Sequence, residues 1–223
     1  MKLSEYTFGF ADAEKEYTRI PQIFTTAFFD PRNVINKLIN EYHFLLIGRK
    51  GVGKSAFSSK IQSLSDINPE LFSFPVKLND FEFSTFSKTN IDSDVIGTQK
   101  YKASWDFILL LTIYKIIYNE LSMDNNDGLN SMLVLLENLG FPLEQGYKKD
   151  VNRLSKLKIG TNILRFDIEF EKEFGVKPNS YLERISSLNE KMMQVLSNIN
   201  FDNQKIVILI DGVDDILRFK KIS

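Results

Sequence analysis

The chain of 223 residues contains no cysteine, which excludes disulfides, thiolate metal sites and cysteine nucleophiles. A single histidine argues against a histidine-based metal site and leaves little basis for a Ser-His triad. Neither charge sign dominates. Lys and Arg number 28 against 29 Asp and Glu, a formal net charge of −1, so no global field draws the protein to nucleic acid or to an anionic membrane. Long apolar runs are missing too. The longest, WDFILLLTIYKIIY at 105–118, carries Asp106 and Lys115 and is too short to span a bilayer, so it reads as a buried helix. The first residues, MKLSEYTFGFADAEKEY, put acidic side chains where a secretory leader needs an apolar stretch. These absences predict a cytoplasmic protein with no membrane partner. The 43% of hydrophobic residues suffices for a sizeable core.

Against that background one stretch stands out, LLIGRKGVGKSAF at 45–57. An apolar run, Phe44 to Ile47, enters a turn with three glycines and leaves through adjacent Lys54 and Ser55. The spacing G-x-x-x-x-G-K-S/T is that of a phosphate-binding turn. Gly48, Gly51 and Gly53 permit backbone conformations closed to residues with a Cβ, so main-chain N–H groups can point into one concavity. The helix expected to start near Gly53 adds its positive dipole end. In this pattern Gly48, Arg49, Lys50, Gly51, Val52, Gly53, Lys54, Ser55 and Ala56 enclose the phosphates. Lys54 reaches the β- and γ-phosphates and Ser55 offers a hydroxyl to Mg²⁺.

A site of this kind needs a second carboxylate for the metal, at the end of a neighbouring strand. KIVILIDGVDD at 205–215 supplies one. Ile206 to Ile210 is a continuous apolar run, as in a parallel strand buried on both faces. It ends in Asp211, followed by Gly212, Asp214 and Asp215. Other carboxylates compete poorly. DVIG at 94–97 matches D-x-x-G but follows a polar stretch, and NKLI at 36–39 lacks the Asp of N-K-x-D. ATP is therefore favoured over GTP.

The pair GRKGVGKS and ILIDGVDD resembles AAA-type P-loop ATPases with an extra strand between the two Walker strands, near the STAND group and the KAP-like bacterial ATPases. The segment FGFADAEKEY at 8–17 is similar to a bacterial P-loop ATPase family associated with phage defence. The resemblance implies an α/β P-loop NTPase fold of three layers with a parallel sheet. It implies ATP and Mg²⁺ as cofactors, with Asp211 and Ser55 as metal ligands. It also implies hydrolysis with Lys54 stabilising transferred charge and Asp214 or Asp215 orienting water. The role implied is a nucleotide-dependent switch, in bacterial defence. The sequence departs from the commonest pattern in one respect. Gly212 follows the metal aspartate where Glu is usual, and Asp215 stands where the later acidic pair ordinarily carries Glu. Asp is one methylene shorter, which predicts slow turnover or binding without hydrolysis. Two other readings stand beside this one: a DNA- or RNA-handling ATPase, resting on the basic residues Lys148, Lys149, Arg153, Lys156 and Lys158, and a non-hydrolysing interaction module.

The remaining pattern is read around these motifs. Residues 1–29 form an N-terminal segment and 30–223 a P-loop ATPase domain, with 124–179 inserted. DPRNVINKLINEY at 30–42 reads as a helix with Asp30 as N-cap and Pro31 at its first position. Strands are expected at 44–47, 71–80 and 206–210, and helices at 55–65, 104–121 and 130–141. NILRFDIEF at 162–170 alternates with period two, as a half-exposed strand does. Residues 180–199 open with a capping box, Ser180 and Glu183, and carry an Ile185, Leu188, Met192, Val195 stripe. The pattern as a whole reads as a P-loop domain incomplete after Asp211, expected to self-associate or to take a sensor residue and an arginine finger from a partner.

Overall fold

A computed structural model describes residues 10, 12–49, 51–78, 83–89, 101–121, 126–144, 147–159 and 163–212. They form a mixed α/β protein, mostly helical, with a two-stranded parallel sheet. The chain divides into two compact units, residues 1–79 with 202–223, and residues 80–201.

The first unit carries the sheet. Strands β1 (Leu71–Lys77) and β2 (Lys205–Asp211) pair in parallel, with Leu71 opposite Lys205 and Lys77 opposite Asp211. Leu71 and Val76 are buried. Pro75 is exposed; its missing N–H is tolerated because β1 is an edge strand among the described residues. The expectation of a β2 buried on both faces is corrected. Its apolar residues are half-buried and Ile210 is exposed, because β1 is its one strand neighbour among the described residues.

Helices α1 (Ala13–Arg19), α2 (Pro21–Ala27), α3 (Val34–Asn40) and α4 (Lys54–Ser65) complete this unit, with α4 packed on both strands. An aromatic chain ties α1 and α2 to α4. Tyr17, Phe24, Phe28 and Phe57 follow one another at centroid distances of 6.0, 5.8 and 5.2 Å. Tyr17 also donates its hydroxyl proton to Asp66. Burial and the Asp66 carboxylate push the Tyr17 phenol up to about 12.

Two local expectations in this unit are corrected. Helix α3 begins at Val34, not at Pro31, and its N-cap is Asn33 in the left-handed region. Asp30 nevertheless caps it, by accepting from the amides of Val34 and Ile35 at 2.8 and 2.9 Å. The second correction is Phe44–Ile47, which forms no strand. Phe44 and Ile47 are 92% and 82% exposed. A strand exists only where another backbone completes its hydrogen bonds, and among the described residues none does so here.

The second unit is a helical cluster: α5 (Phe83–Phe86), α6 (Lys102–Glu120), α7 (Asp127–Asn138), α8 (Tyr147–Ile159), α9 (Ile163–Phe174) and α10 (Tyr181–Ser197). Helix α6 is buried along most of its length, with Phe107, Leu111 and Tyr114 in the core. The α10 stripe is buried at Ile185, Leu188 and Met192. Ser180 accepts from the Glu183 amide at 3.1 Å, while the Glu183 carboxylate reaches back to the Asn179 amide rather than to Ser180 itself.

Residues 163–174 are helix, correcting the expected strand. Phe166, Phe170 and Phe174 recur every four residues and stack along one face, at 6.0 and 4.1 Å. Asp167, on the same helix, is held bidentately by Arg184 at 2.6 and 2.8 Å. Short apolar-charged alternation fits both periods, and the packing of the phenylalanines favours the helix.

Candidate functional site

The turn at 48–55 lies between the exposed segment 44–47 and α4. Gly51 and Gly53 have φ of 87° and 89°, in a region where a side chain costs about 1–2 kcal/mol. Gly48 serves a different purpose: a Cβ there would stand 2.7 Å from Val52 Cγ2. The Val52 amide closes the turn onto the Arg49 carbonyl at 3.4 Å. Gly53 is then the N-cap of α4, with no side chain to satisfy the first helical amides. A helix start that leaves N–H groups without side-chain caps is suited to an anion.

Lys54 is the first residue of α4. Its ammonium donates to the carbonyls of Gly48 at 2.9 Å and Arg49 at 3.3 Å, so its charge sits across the mouth of the turn. Ser55 follows. Its hydroxyl donates to Asp211 Oδ2 at 2.8 Å, and the Gly212 amide donates to Asp211 Oδ1 at 2.7 Å. Helix α4 thus begins, and β2 ends, at the same place. The two residues read from the sequence as metal ligands are in direct contact.

The other sequence-derived site residues are placed as follows. Arg49, Gly51, Val52 and Gly53 are exposed around the turn, and Gly48 and Ala56 are half-buried. Lys50, Asp214 and Asp215 lie outside the described residues, as does DVIG at 94–97.

The donor set can be tested against Mg²⁺. Among the described residues, no three His, Cys, Asp or Glu side chains converge. Mg²⁺ does not ask for such a cage; it is usually bound by one or two carboxylates, substrate phosphates and water. A hydroxyl and a carboxylate oxygen 2.8 Å apart, beside an anion-receptive helix start, fit that requirement.

The basic stretch of α8 is divided by the fold. Lys149 and Lys156 are exposed, but Arg153 lies 3.5 Å from Asp150. Asp150 in turn is buried against Lys115 of α6 at 2.6 Å. Burial pulls the Lys115 ammonium down and pushes the Asp150 carboxyl up, against the attraction of the pair. This group belongs to the core of the second unit.

One feature of the first unit escaped the sequence reading. Side-chain amides crowd the opposite end of the strands from the turn. Asn40 accepts from Lys205 and donates to Asn36 at 2.7 Å. The asparagine density of 33–40 and 198–203 was the available signal.

Among described residues no helix is long and apolar enough to cross a membrane. No family model, curated protein or solved structure matches the chain.

Proposed function

We propose that this chain binds Mg·ATP at Gly48–Ser55 together with Asp211, on a P-loop NTPase fold, and acts as a nucleotide-dependent switch. The observation that carries this reading is the hydrogen bond from Ser55 to Asp211. A phosphate-turn serine and a strand-end aspartate, chosen from the sequence for their chemistry alone, meet at hydrogen-bonding distance.

The residues then have distinct tasks. Amides of the turn and of the first turn of α4 receive phosphate oxygens. Lys54, which sits on the Gly48 and Arg49 carbonyls, exchanges those acceptors for the β- and γ-phosphates. Ser55 and Asp211 would hold Mg²⁺, which would supply neutralising charge to the phosphate chain. Asp214 or Asp215 orients the attacking water in hydrolysis, and the shorter Asp in place of Glu makes that step slow.

Calorimetric titration of Mg·ATP into the wild-type chain and into Lys54→Ala tests the proposal. Loss of the ammonium is expected to weaken binding by about tenfold or more, as for a charge-assisted contact worth about 1.5–3 kcal/mol. Circular dichroism should show both proteins folded, because the Lys54 ammonium bonds to turn carbonyls. Equal affinity in two folded proteins would reject ATP binding at this turn.

A further inference from the structure

The first unit contains a cavity of about 790 Å³ that the phosphate turn does not use. It lies between α3, the C-terminal end of α4 and the starts of both strands, touching Leu64, Leu71 and Lys205. The turn lies at the other ends of the same elements, at Lys54 and Asp211. Seven-residue strands separate the two places by about 20 Å, at about 3.3 Å per residue. The cavity has the size of small-molecule sites, about 300–1,000 Å³.

Its lining specifies a ligand chemistry. Six carboxamides surround it: Asn33, Asn36, Asn40, Asn68, Asn203 and Gln204. Each presents one acceptor oxygen and two N–H donors in a plane. Some are already engaged, since Asn40 donates to Asn36 and the Asn68 carbonyl oxygen accepts from the Glu70 amide. Among the described residues, the side chains of Asn33, Asn203 and Gln204 have no protein hydrogen-bond partner; Asn33 and Asn203 are exposed and Gln204 is half-buried, so the pocket opens to solvent on the side they line. Charge is sparse and of the wrong sign for a phosphate. The lining includes one cation, Lys205, which is bonded to Asn40, against Glu70 and Asp202. Ile35, Ile39, Leu64, Ile67, Pro69 and Leu71 supply its apolar wall.

From these observations we infer that the cavity is a second ligand site, for an uncharged nucleobase or nucleoside. A planar heterocycle with alternating donors and acceptors matches carboxamides edge-on, as Asn and Gln pair bidentately with adenine. Its faces match flat aliphatic walls. A nucleotide's phosphates are disfavoured here, because the lining holds Glu70 and Asp202 against the one cation Lys205. The inference stands on this lining and does not depend on ATP binding at the turn.

The test is calorimetric titration of adenosine, guanosine, cytidine and uridine, each at up to millimolar concentration, into the full chain. The same titrations are run on Lys54→Ala, Asn203→Leu and Gln204→Leu. At least one nucleoside is expected to bind the wild type and Lys54→Ala equally. Its affinity should fall about tenfold in one or both amide variants, the loss of one or two neutral hydrogen bonds at about 0.5–1.5 kcal/mol each. Asn203 and Gln204 lie in a loop without side-chain bonds, so both variants should fold, and circular dichroism verifies it. No binding of any nucleoside to folded wild type overturns the inference. So does binding that disappears in Lys54→Ala and survives in both amide variants, since that places the nucleoside at the turn. Failure of ATP binding with retention of nucleoside binding would reject the phosphate-turn reading alone.

Discussion

Ser55 Oγ donates to Asp211 Oδ2 at 2.8 Å, joining two residues 156 positions apart in sequence. One stands in the first turn of α4 and the other on the last residue of β2. Two constraints produce the contact. Helix α4 packs on β1 and β2, and the left-handed glycine at position 53 starts that helix beside the end of β2. Asp211 spends its second oxygen on the Gly212 amide, which fixes the carboxylate with one oxygen toward Ser55.

The proposed function assigns metal binding and water activation to different aspartates, which substitutions can separate. Asp211→Asn retains an acceptor for Ser55 but loses the charge. Its nucleotide binding is expected to lose magnesium dependence, with affinity in Mg²⁺ falling about tenfold or more. Asp215→Asn should leave binding intact and abolish any phosphate release. Titrations with and without Mg²⁺, beside a steady-state phosphate assay, measure both. Unchanged magnesium dependence in Asp211→Asn would show that the carboxylate does not serve the metal.

Asp30 gives the first unit an acid sensitivity. Desolvation raises its pKa, but the amides of Ile35, Val34 and Arg32 outweigh that and hold the carboxyl below its ordinary 3.8. A carboxyl with a depressed folded-state pKa stabilises the fold above the unfolded value and loses that contribution as pH falls through the folded one. Asp30→Ala should therefore cost about 1 kcal/mol at neutral pH, as other lost helix caps do. The difference from wild type should shrink below about pH 3.8, which urea melts at a series of pH values would follow. A constant difference down to the lowest pH would mean that packing, not the charge, is what the substitution removes.

The second unit rests on a buried ion pair, Lys115 with Asp150, whose side chains are 7% and 2% exposed. Removing one partner leaves the other charge buried, at about 3–5 kcal/mol. Replacing both by apolar residues of similar volume is often neutral. Lys115→Met and Asp150→Leu are thus each expected to be strongly destabilising, and the double variant to recover part of the loss, since Arg153 also loses its contact with Asp150. Chemical denaturation of the four proteins completes the cycle. Additive losses in the double variant would mean that the two side chains act independently.

Much of this molecule was legible from local patterns. The glycine turn before α4, the helices α4, α6, α7 and α10, and both ends of the Ser55–Asp211 pair were read from spacing, because glycine conformations, caps and helical stripes are set within a few residues. Ser180 and Ile185, Leu188 and Met192 illustrate this: the cap and the buried face lie on one helix and need no distant partner to be recognised.

What tertiary structure decided was everything that depends on a partner distant in the chain. Phe44–Ile47 has strand composition and forms none, because no described backbone pairs with it. Residues 162–170 alternate like a strand, yet 163–174 form a helix, on which Asp167 meets Arg184, 17 positions further along the chain. The basic stretch of α8 surrenders Arg153 to a buried aspartate that no pattern announced. The amide-lined cavity is assembled from α3, the end of α4 and two loops far apart in sequence. Composition and spacing specify which chemistry each residue can offer. Which residues stand together, and which backbone finds a partner, follows only when the chain closes on itself and the long-range contacts offset the entropy of forming them.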